Sequence, residues 1–115
     1  MPSRTTSSDA GPARLRVLVV DDNQAMLARA ASVLTATCIV VGQVQDGASA
    51  LVATAVLVPD VIVLDISMPG MSGLEVAAAL RAAGSAAAIV FLTVHDDAEL
   101  VAAAQAAGGI GYVIK

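Results

Sequence analysis

Three acidic side chains follow two apolar segments of this sequence, at positions where they could act together. Asp21 and Asp22 come directly after residues 15–20, and Asp65 comes directly after residues 61–64. Carboxylates about 5 Å apart repel each other by roughly 3 kcal/mol at an effective dielectric constant of 20. A cluster of three therefore favours a bound cation, and because no histidine or cysteine belongs to the group, the expected ion is Mg²⁺, which prefers oxygen ligands.

Two more polar side chains follow other apolar segments. Thr93 comes after residues 88–92, and Lys115 comes after residues 109–114. Each residue alone carries little information, since an aspartate in such a place is usually a helix cap or a turn former. Together they are informative, because ligands of open α/β sheets bind at the carboxyl ends of the strands. The ammonium group of Lys115 could pair there with a phosphoryl oxygen or with Asp65.

The elements that must position these groups follow from hydrophobic periodicity. Four apolar runs are continuous, as in parallel strands buried on both faces, and they span residues 15–20, 61–64, 88–92 and 109–114. A fifth run, residues 38–44, is more mixed and suits the edge of a sheet. Apolar residues at helical spacing predict three helices between the first four strands, and Asp96 with Glu99 resembles a capping box that opens a fourth. The alternating order predicts an α/β protein with a doubly wound, mostly parallel sheet.

Composition limits the classes of function. The 115 residues are 57% hydrophobic and 14% charged, which suits one folded domain, and the net charge of −4 argues against direct nucleic-acid binding. Cys38 is the only cysteine, so an intramolecular disulfide and a cysteine-rich metal site are excluded. Residues 1–14 are polar and broken by proline and glycine, which predicts a disordered leader rather than a signal peptide. No run reaches the roughly 18 apolar residues of a membrane span, and we expect a cytoplasmic protein.

Residues 15–115 closely resemble the receiver domains of two-component response regulators. Four segments in matching order carry the resemblance: Val-Leu-Val-Val-Asp-Asp-Asn at 17–23, Val-Leu-Asp-Ile-Ser-Met-Pro-Gly-Met-Ser-Gly at 63–73, Phe-Leu-Thr at 91–93 and Gly-Tyr-Val-Ile-Lys at 111–115. The sequence of residues 92–97 most resembles that of regulators that carry a helix-turn-helix output domain. The resemblance implies a flavodoxin-like fold with strand order 2-1-3-4-5 and a role in regulating transcription.

The resemblance also implies a phosphoacceptor and a metal site. Asp65 would accept a phosphoryl group from the phosphohistidine of a sensor histidine kinase. Asp22 would bind Mg²⁺ directly, Asp21 would bind it largely through water, and Asp65 together with the backbone carbonyl of Ser67 would complete the protein ligands. The domain would be a signalling switch that assists its own phosphorylation and dephosphorylation, and not an enzyme.

Further residues would bind the phosphoryl group or transmit the signal. The resemblance implies that Lys115 would bind one phosphoryl oxygen and that Thr93 would bind another. Tyr112 would turn inward behind Thr93 and change the face formed by the fourth helix and fifth strand, although half-buried packing is an alternative role for this residue. Ser67 and His95 would flank the phosphoryl site and tune the access of water. Without the family, His95 would be interpreted as a solvated loop histidine.

Three other classes of protein compete with this interpretation. A Mg²⁺-dependent phosphatase of the haloacid dehalogenase type places its nucleophile after the first strand, with a second aspartate two residues on. Here Asp21 and Asp22 are adjacent, and the lone Asp65 follows the third strand. A nucleotide-binding module needs a glycine-rich loop, which residues 21–24 lack. A structural pseudo-receiver is disfavoured because the five residues expected at the strand ends are all present, namely Asp21, Asp22, Asp65, Thr93 and Lys115.

The end of the sequence departs from the family pattern. Receivers usually continue with proline and a fifth helix after the lysine that corresponds to Lys115. With the second, third and fourth helices on one face and the first alone on the other, a strip on the order of several hundred Å² would lie uncovered beside the first helix. At roughly 25 cal/mol per Å² of apolar surface, leaving the strip exposed lowers the hydrophobic contribution to stability by several kcal/mol. We therefore expect a truncated domain, a homodimer or a helix borrowed from a partner.

Overall fold

The computed structural model of this protein describes residues 14–93, 102–103, 106 and 108–114, without the side chains of Ile110, Tyr112 and Ile114. The predicted leader lies outside these residues apart from its last position, Arg14. His95, Lys115 and the capping pair of Asp96 and Glu99 also lie outside them. Ala102, Ala103 and Ala106 are helical and exposed, in agreement with a helix between the last two strands.

Five parallel strands form one sheet in the order β2-β1-β3-β4-β5. This result confirms the predicted α/β class, the parallel arrangement and the edge position of the second strand. The strands are β1 (Arg16–Val20), β2 (Ile39–Val44), β3 (Val61–Asp65), β4 (Ala88–Thr93) and β5 (Gly109–Ile114).

The carboxyl ends of β3 and β4 each lie one residue later than the sequence predicted. Asp65 and Thr93 were expected directly after their strands, and they are instead the last residues of β3 and β4. The reason is the sheet register, in which Asp65 pairs with Leu92 and Thr93 pairs with Ile114. Their backbones are therefore fixed by the sheet and not by a loop.

Three helices have fully described bounds, α1 (Gln24–Leu34), α2 (Gly47–Leu57) and α3 (Gly73–Ala82). Asn23 caps α1 by accepting a hydrogen bond from the Met26 N–H at 3.0 Å. Asp46 caps α2 by accepting a hydrogen bond from the Ser49 N–H at 2.7 Å. That backbone hydrogen bond is the main reason that the pKa of Asp46 lies below its usual value. None of the helices in the described part of the chain has the length and apolar character that crossing a bilayer requires.

The sheet buries apolar side chains on both faces, as a doubly wound fold requires. On one face Leu18 and Phe91 pack with residues of α2 and α3. On the other face Val19 and Val63 pack with Leu27 of α1. Full burial of one such side chain contributes about 1.5–3 kcal/mol, so these two clusters hold the strands in register and fix the places where they end.

An open groove lies beside α1, where the sequence predicted an uncovered strip. Its volume is about 510 Å³, and side chains of α1, β1, β3, β4 and β5 line it. Leu15, Val33 and Val113 in its lining are 53%, 68% and 52% exposed, respectively. The helical cover of this face is therefore open beside α1 among the residues described.

Val58 ends α2 in a strained backbone conformation. Its φ of 48° and ψ of 63° lie in the left-handed region, where an L-residue loses about 1–2 kcal/mol and glycine loses almost nothing. The side chain is 68% exposed, so its removal should cost little packing energy. We expect Val58→Gly to raise the free energy of unfolding by about 1 kcal/mol, measured by urea denaturation.

A matched control lies in the last turn of the same helix. Val56 is 72% exposed but helical, so Val56→Gly should lower the free energy of unfolding by about 0.5 kcal/mol. If Val58→Gly also lowers stability, the strain assigned to Val58 is wrong.

Candidate functional site

The carboxyl edge of the sheet brings together side chains from three neighbouring strands. Asp21 directly follows β1, Asp65 ends β3 and Thr93 ends β4. These three polar residues are only 0%, 2% and 4% exposed, respectively, whereas Asp22 is exposed. The three aspartates lie close together at this edge, as the sequence predicted.

The two adjacent aspartates lie in a turn that is held from both sides. The Asp21 N–H donates to the carbonyl oxygen of Val44 at 3.1 Å, which ties the turn to the end of β2. The Oδ1 atom of Asp21 accepts from the Asn23 N–H at 2.9 Å, and Asn23 caps α1. The Asp21 carboxylate is thus fixed and buried, while the next residue, Asp22, leaves its side chain exposed to solvent.

Asp65 is positioned by the backbone on either side of it. Its Oδ1 atom accepts from the N–H of Ser67, an exposed residue, at 3.2 Å. The Ile66 N–H donates to the carbonyl oxygen of Leu92 at 3.0 Å, so β3 stays attached to β4 just beyond the carboxylate. These bonds leave Asp65 little freedom to move relative to the sheet.

The three carboxylates form a cluster with the donor chemistry of a hard metal site. One oxygen from each of Asp21, Asp22 and Asp65 lies within 4.8 Å of the other two. Burying negative charge in this way is costly unless a cation or hydrogen bonds compensate it. Oxygen donors at this spacing fit Mg²⁺, which typically takes one or two carboxylates together with water and phosphate oxygens.

The structure does not place every predicted site residue. The backbone of Tyr112 pairs with Phe91 in the sheet, but its side chain is not described. Lys115 and His95 lie outside the described residues, so their roles stay predictions. Met68 is 8% exposed and belongs to the core on the α2 and α3 face.

Gly73 is the first residue of α3 and packs closely against the end of β3. Its N–H donates to the carbonyl oxygen of Ile66 at 2.8 Å. A Cβ atom at Gly73 would overlap the carbonyl oxygen of Asp65, so only glycine lets α3 begin so close to this residue. Ser72 and Glu75 close a capping box around the same helix start. The Ser-Gly-Leu-Glu segment at 72–75 was the available sequence signal for this cap.

Comparison with known sequences gives consistent matches. Residues 17–115 match the family described as response regulator receiver domain. The chain is 37% identical over 111 residues to the probable transcriptional regulatory protein NarL of Mycobacterium tuberculosis, covering 94% of this chain and 51% of that protein. It is 42% identical over 102 residues to the nitrate/nitrite response regulator protein NarP of Escherichia coli, covering 87% of this chain and 47% of that protein. The chain thus spans about half the length of these curated relatives.

Solved structures share the fold. The signal receiver domain of NarL from Mycobacterium tuberculosis is 36% identical with a TM-score of 0.79, covering 90% of this chain and 85% of that chain. A LuxR-family two-component response regulator from an Aurantimonas species is 28% identical with a TM-score of 0.85, covering 90% of this chain and 75% of that chain. These likenesses confirm the flavodoxin-like receiver fold that the sequence predicted.

The close approach of Gly73 to Asp65 gives a test of how the site is built. We expect Gly73→Ala to lower the free energy of unfolding by about 1–3 kcal/mol, because an added methyl group forces the backbone apart. The same substitution should change the amide NMR shifts of residues 65 and 66. Gly111→Ala is the control, because a Cβ atom there meets nothing within 4 Å and should leave both readouts nearly unchanged. Equal effects of the two variants would contradict the positioning role of Gly73.

Proposed function

Because the chain belongs to the response regulator receiver domain family, we propose that it is a phosphorylation switch with Asp65 as the phosphoacceptor. Receivers of this family are signalling switches rather than enzymes. The observation that carries the proposal is the cluster of Asp21, Asp22 and Asp65, with carboxylate oxygens within 4.8 Å at the carboxyl edge of the sheet. Asp65 is the member of the cluster that ends the central strand β3.

The proposed chemistry is the transfer of a phosphoryl group from the phosphohistidine of a sensor histidine kinase. A carboxylate oxygen of Asp65 forms the new bond to phosphorus as the P–N bond of the phosphohistidine breaks, and the electron pair of that bond stays on the imidazole nitrogen. Asp21, Asp22, Asp65 and the backbone carbonyl of Ser67 would hold Mg²⁺. When bound, the ion would supply positive charge that lets an anionic acceptor meet an anionic donor.

The remaining site residues would read or tune the phosphorylated state. Thr93 is buried at the end of β4, next to β3, and its hydroxyl is proposed to bind a phosphoryl oxygen. Lys115 is proposed to bind another, and Tyr112 is proposed to follow Thr93 inward and so change the surface beside β5. Ser67 and His95 are proposed to set how easily water reaches the phosphoryl group. The exposure of Ser67 is compatible with this role.

Transcription regulation is the proposed purpose of the switch. The relatives are named as a probable transcriptional regulatory protein and a nitrate/nitrite response regulator, and the chain spans about half their length. We propose that the domain works in the cytoplasm, where a kinase supplied with ATP can reach it. The net charge of −4 makes direct nucleic-acid binding by this segment unfavourable.

Phosphorylation of Asp65 can be measured directly by intact mass. With acetyl phosphate and Mg²⁺, the chain should gain one phosphoryl group, and Asp65→Asn should gain none. Asp46→Asn, which changes an exposed aspartate outside the cluster, should react like the native chain. Equal phosphorylation in EDTA would refute the role of the metal, and catalytic turnover of phosphomonoesters would favour the phosphatase alternative.

Thr93 is expected to carry the signal rather than the chemistry. Thr93→Ala should still accept a phosphoryl group, although more slowly, and should lose the conformational response. The response is measured as changes in the amide NMR shifts of the residues that connect β4 to β5 in the chain, on addition of the phosphate mimic beryllofluoride. Thr35→Ala, at an exposed position after α1, should respond like the native chain. An unchanged response in Thr93→Ala would contradict the coupling.

A further inference from the structure

The loop of residues 66–72 connects β3 to α3 and carries the backbone carbonyl of Ser67, a proposed metal ligand. Near the start of this loop, the Ser67 N–H donates to Oδ1 of Asp65 at 3.2 Å. At its end, the Gly73 N–H donates to the carbonyl oxygen of Ile66 at 2.8 Å. These hydrogen bonds act at the two ends of the loop, so the position of its carbonyl groups also depends on how the middle of the loop packs.

Two methionine side chains pack the middle of the loop against the core. Met68 is buried, and Met71 is half-buried against the same cluster of α2 and α3 side chains. The closest approach is between Met71 and Gly47, the first residue of α2. A Cβ atom at Gly47 would lie 2.8 Å from Cβ of Met71, 3.0 Å from its Sδ and 2.9 Å from Cγ2 of Val76. Carbon atoms in contact normally lie about 3.5–4.0 Å apart, so Met71 occupies space that a side chain at position 47 would need.

The start of α2 is itself held firmly, so it offers Met71 a fixed surface. Gly47 is buried, and the residue before it, Asp46, caps the helix. The carboxylate of Asp46 accepts from the Ser49 N–H at 2.7 Å and from the Ser49 hydroxyl at 3.0 Å. The Ala50 N–H donates to the carbonyl oxygen of Asp46 at 3.0 Å. The contact with Met71 therefore connects the loop to a helix that does not contribute a carboxylate to the cluster.

We propose that Gly47 and Met71 are positioning residues for the cation site. Because Gly47 has no side chain, Met71 packs directly on the first residue of α2, and this contact sets the place of the Ser67 carbonyl at the other end of the loop. The inference rests on the proposed function, since it assigns the carbonyl of Ser67 to the cation. Mg²⁺ requires near-ideal octahedral geometry at about 2.0–2.1 Å, so a small displacement of one ligand weakens its binding.

A methyl group at Gly47 would displace the loop rather than its other neighbour. To restore ordinary contacts, Met71 must move by roughly half an ångström or more. Val76 is fully buried in α3 and β-branched, so it cannot make room by rotating. The displacement therefore falls on Met71 and on the loop that carries Ser67.

Gly47→Ala tests the proposal in a Mg²⁺ titration of the 115-residue chain followed by amide NMR. The variant should stay folded and bind Mg²⁺ at least about tenfold more weakly than the native chain, as the loss of an outer contact of a metal site predicts. Its Ser67 amide shift should already differ from that of the native chain without Mg²⁺. Equal Mg²⁺ affinity would overturn the inference. Native chain that shows no saturable Mg²⁺ shifts at Asp65 would instead refute the proposed function, and the inference with it.

Gly42→Ala is the matched control for crowding of the core. A Cβ atom at Gly42 would lie 3.0 Å from Cδ1 of Leu57 and 3.1 Å from Cδ1 of Leu18, on the same face of the sheet. The control crowds that face without contacting the loop of residues 66–72, so it should bind Mg²⁺ like the native chain. An equal loss of Mg²⁺ affinity in Gly42→Ala and Gly47→Ala would show a general packing effect and overturn the inference.

Met71→Ala tests the same contact without adding an atom, so overcrowding cannot unfold it. Removing the side chain frees the loop from α2, and Mg²⁺ binding should weaken about tenfold. Leu51→Ala is its control, because Leu51 is also half-buried against this cluster but lies in α2. Urea denaturation should show that both variants are folded. Unchanged Mg²⁺ affinity in Met71→Ala, or an equal loss in Leu51→Ala, would show that Met71 does not position the site.

Discussion

The repulsion between the carboxylates of Asp21, Asp22 and Asp65 is the constraint on which this structure depends. Two of these groups are nearly inaccessible to water, and oxygens of all three lie within 4.8 Å of one another. A chain that needed only stability would not concentrate negative charge at the edge of an apolar sheet. The fold therefore has to hold the carboxylates together against their repulsion, a cost that a bound cation would lower.

The rest of the fold supplies that restraint through its backbone. β1 and β3 are adjacent and buried on both faces, so the two strands that deliver the carboxylates cannot separate without opening the core. Hydrogen bonds from the Asp21 N–H to Val44 and from the Ile66 N–H to Leu92 continue the sheet just past the strand ends. Gly73 then lets α3 begin directly against the Asp65 backbone. Each of these three restraints acts on main-chain atoms.

The sequence predicted the features that depend on local pattern and on the order of elements. Continuous apolar runs indicated buried parallel strands, and the polar residues at their ends indicated which groups would meet. The strand ends at Asp65 and Thr93 were misplaced by one residue, because pairing with β4 and β5 extends the strands and local propensity does not reveal it. The sequence also predicted an uncovered strip beside the first helix, and an open groove lies beside α1.

Other features could not be predicted because they depend on how distant segments approach each other. The contact of Gly73 with Asp65 arises from the angle at which α3 meets the sheet, and glycine in a turn has many simpler explanations. A cavity lined by Arg16 and Asp60 is also lined by alanines of α2 and α3, two helices that are separate in the sequence. In both cases the residue types were visible in the sequence, but the spatial relation that gives them meaning was not.

We propose that the three carboxylates of Asp21, Asp22 and Asp65 act as one cation-binding site. The most direct test is a Mn²⁺ titration followed by the broadening of amide NMR signals, comparing the native chain with Asp22→Asn and Asp46→Asn. Both substitutions lie at exposed positions, and asparagine can replace aspartate as the cap of α2. The native chain and Asp46→Asn should bind one ion beside Asp65 with the same affinity, and Asp22→Asn should bind it at least about tenfold more weakly. Equal Mn²⁺ affinity in Asp22→Asn, or broadening centred away from Asp65, would show that the three carboxylates do not form one cation-binding site.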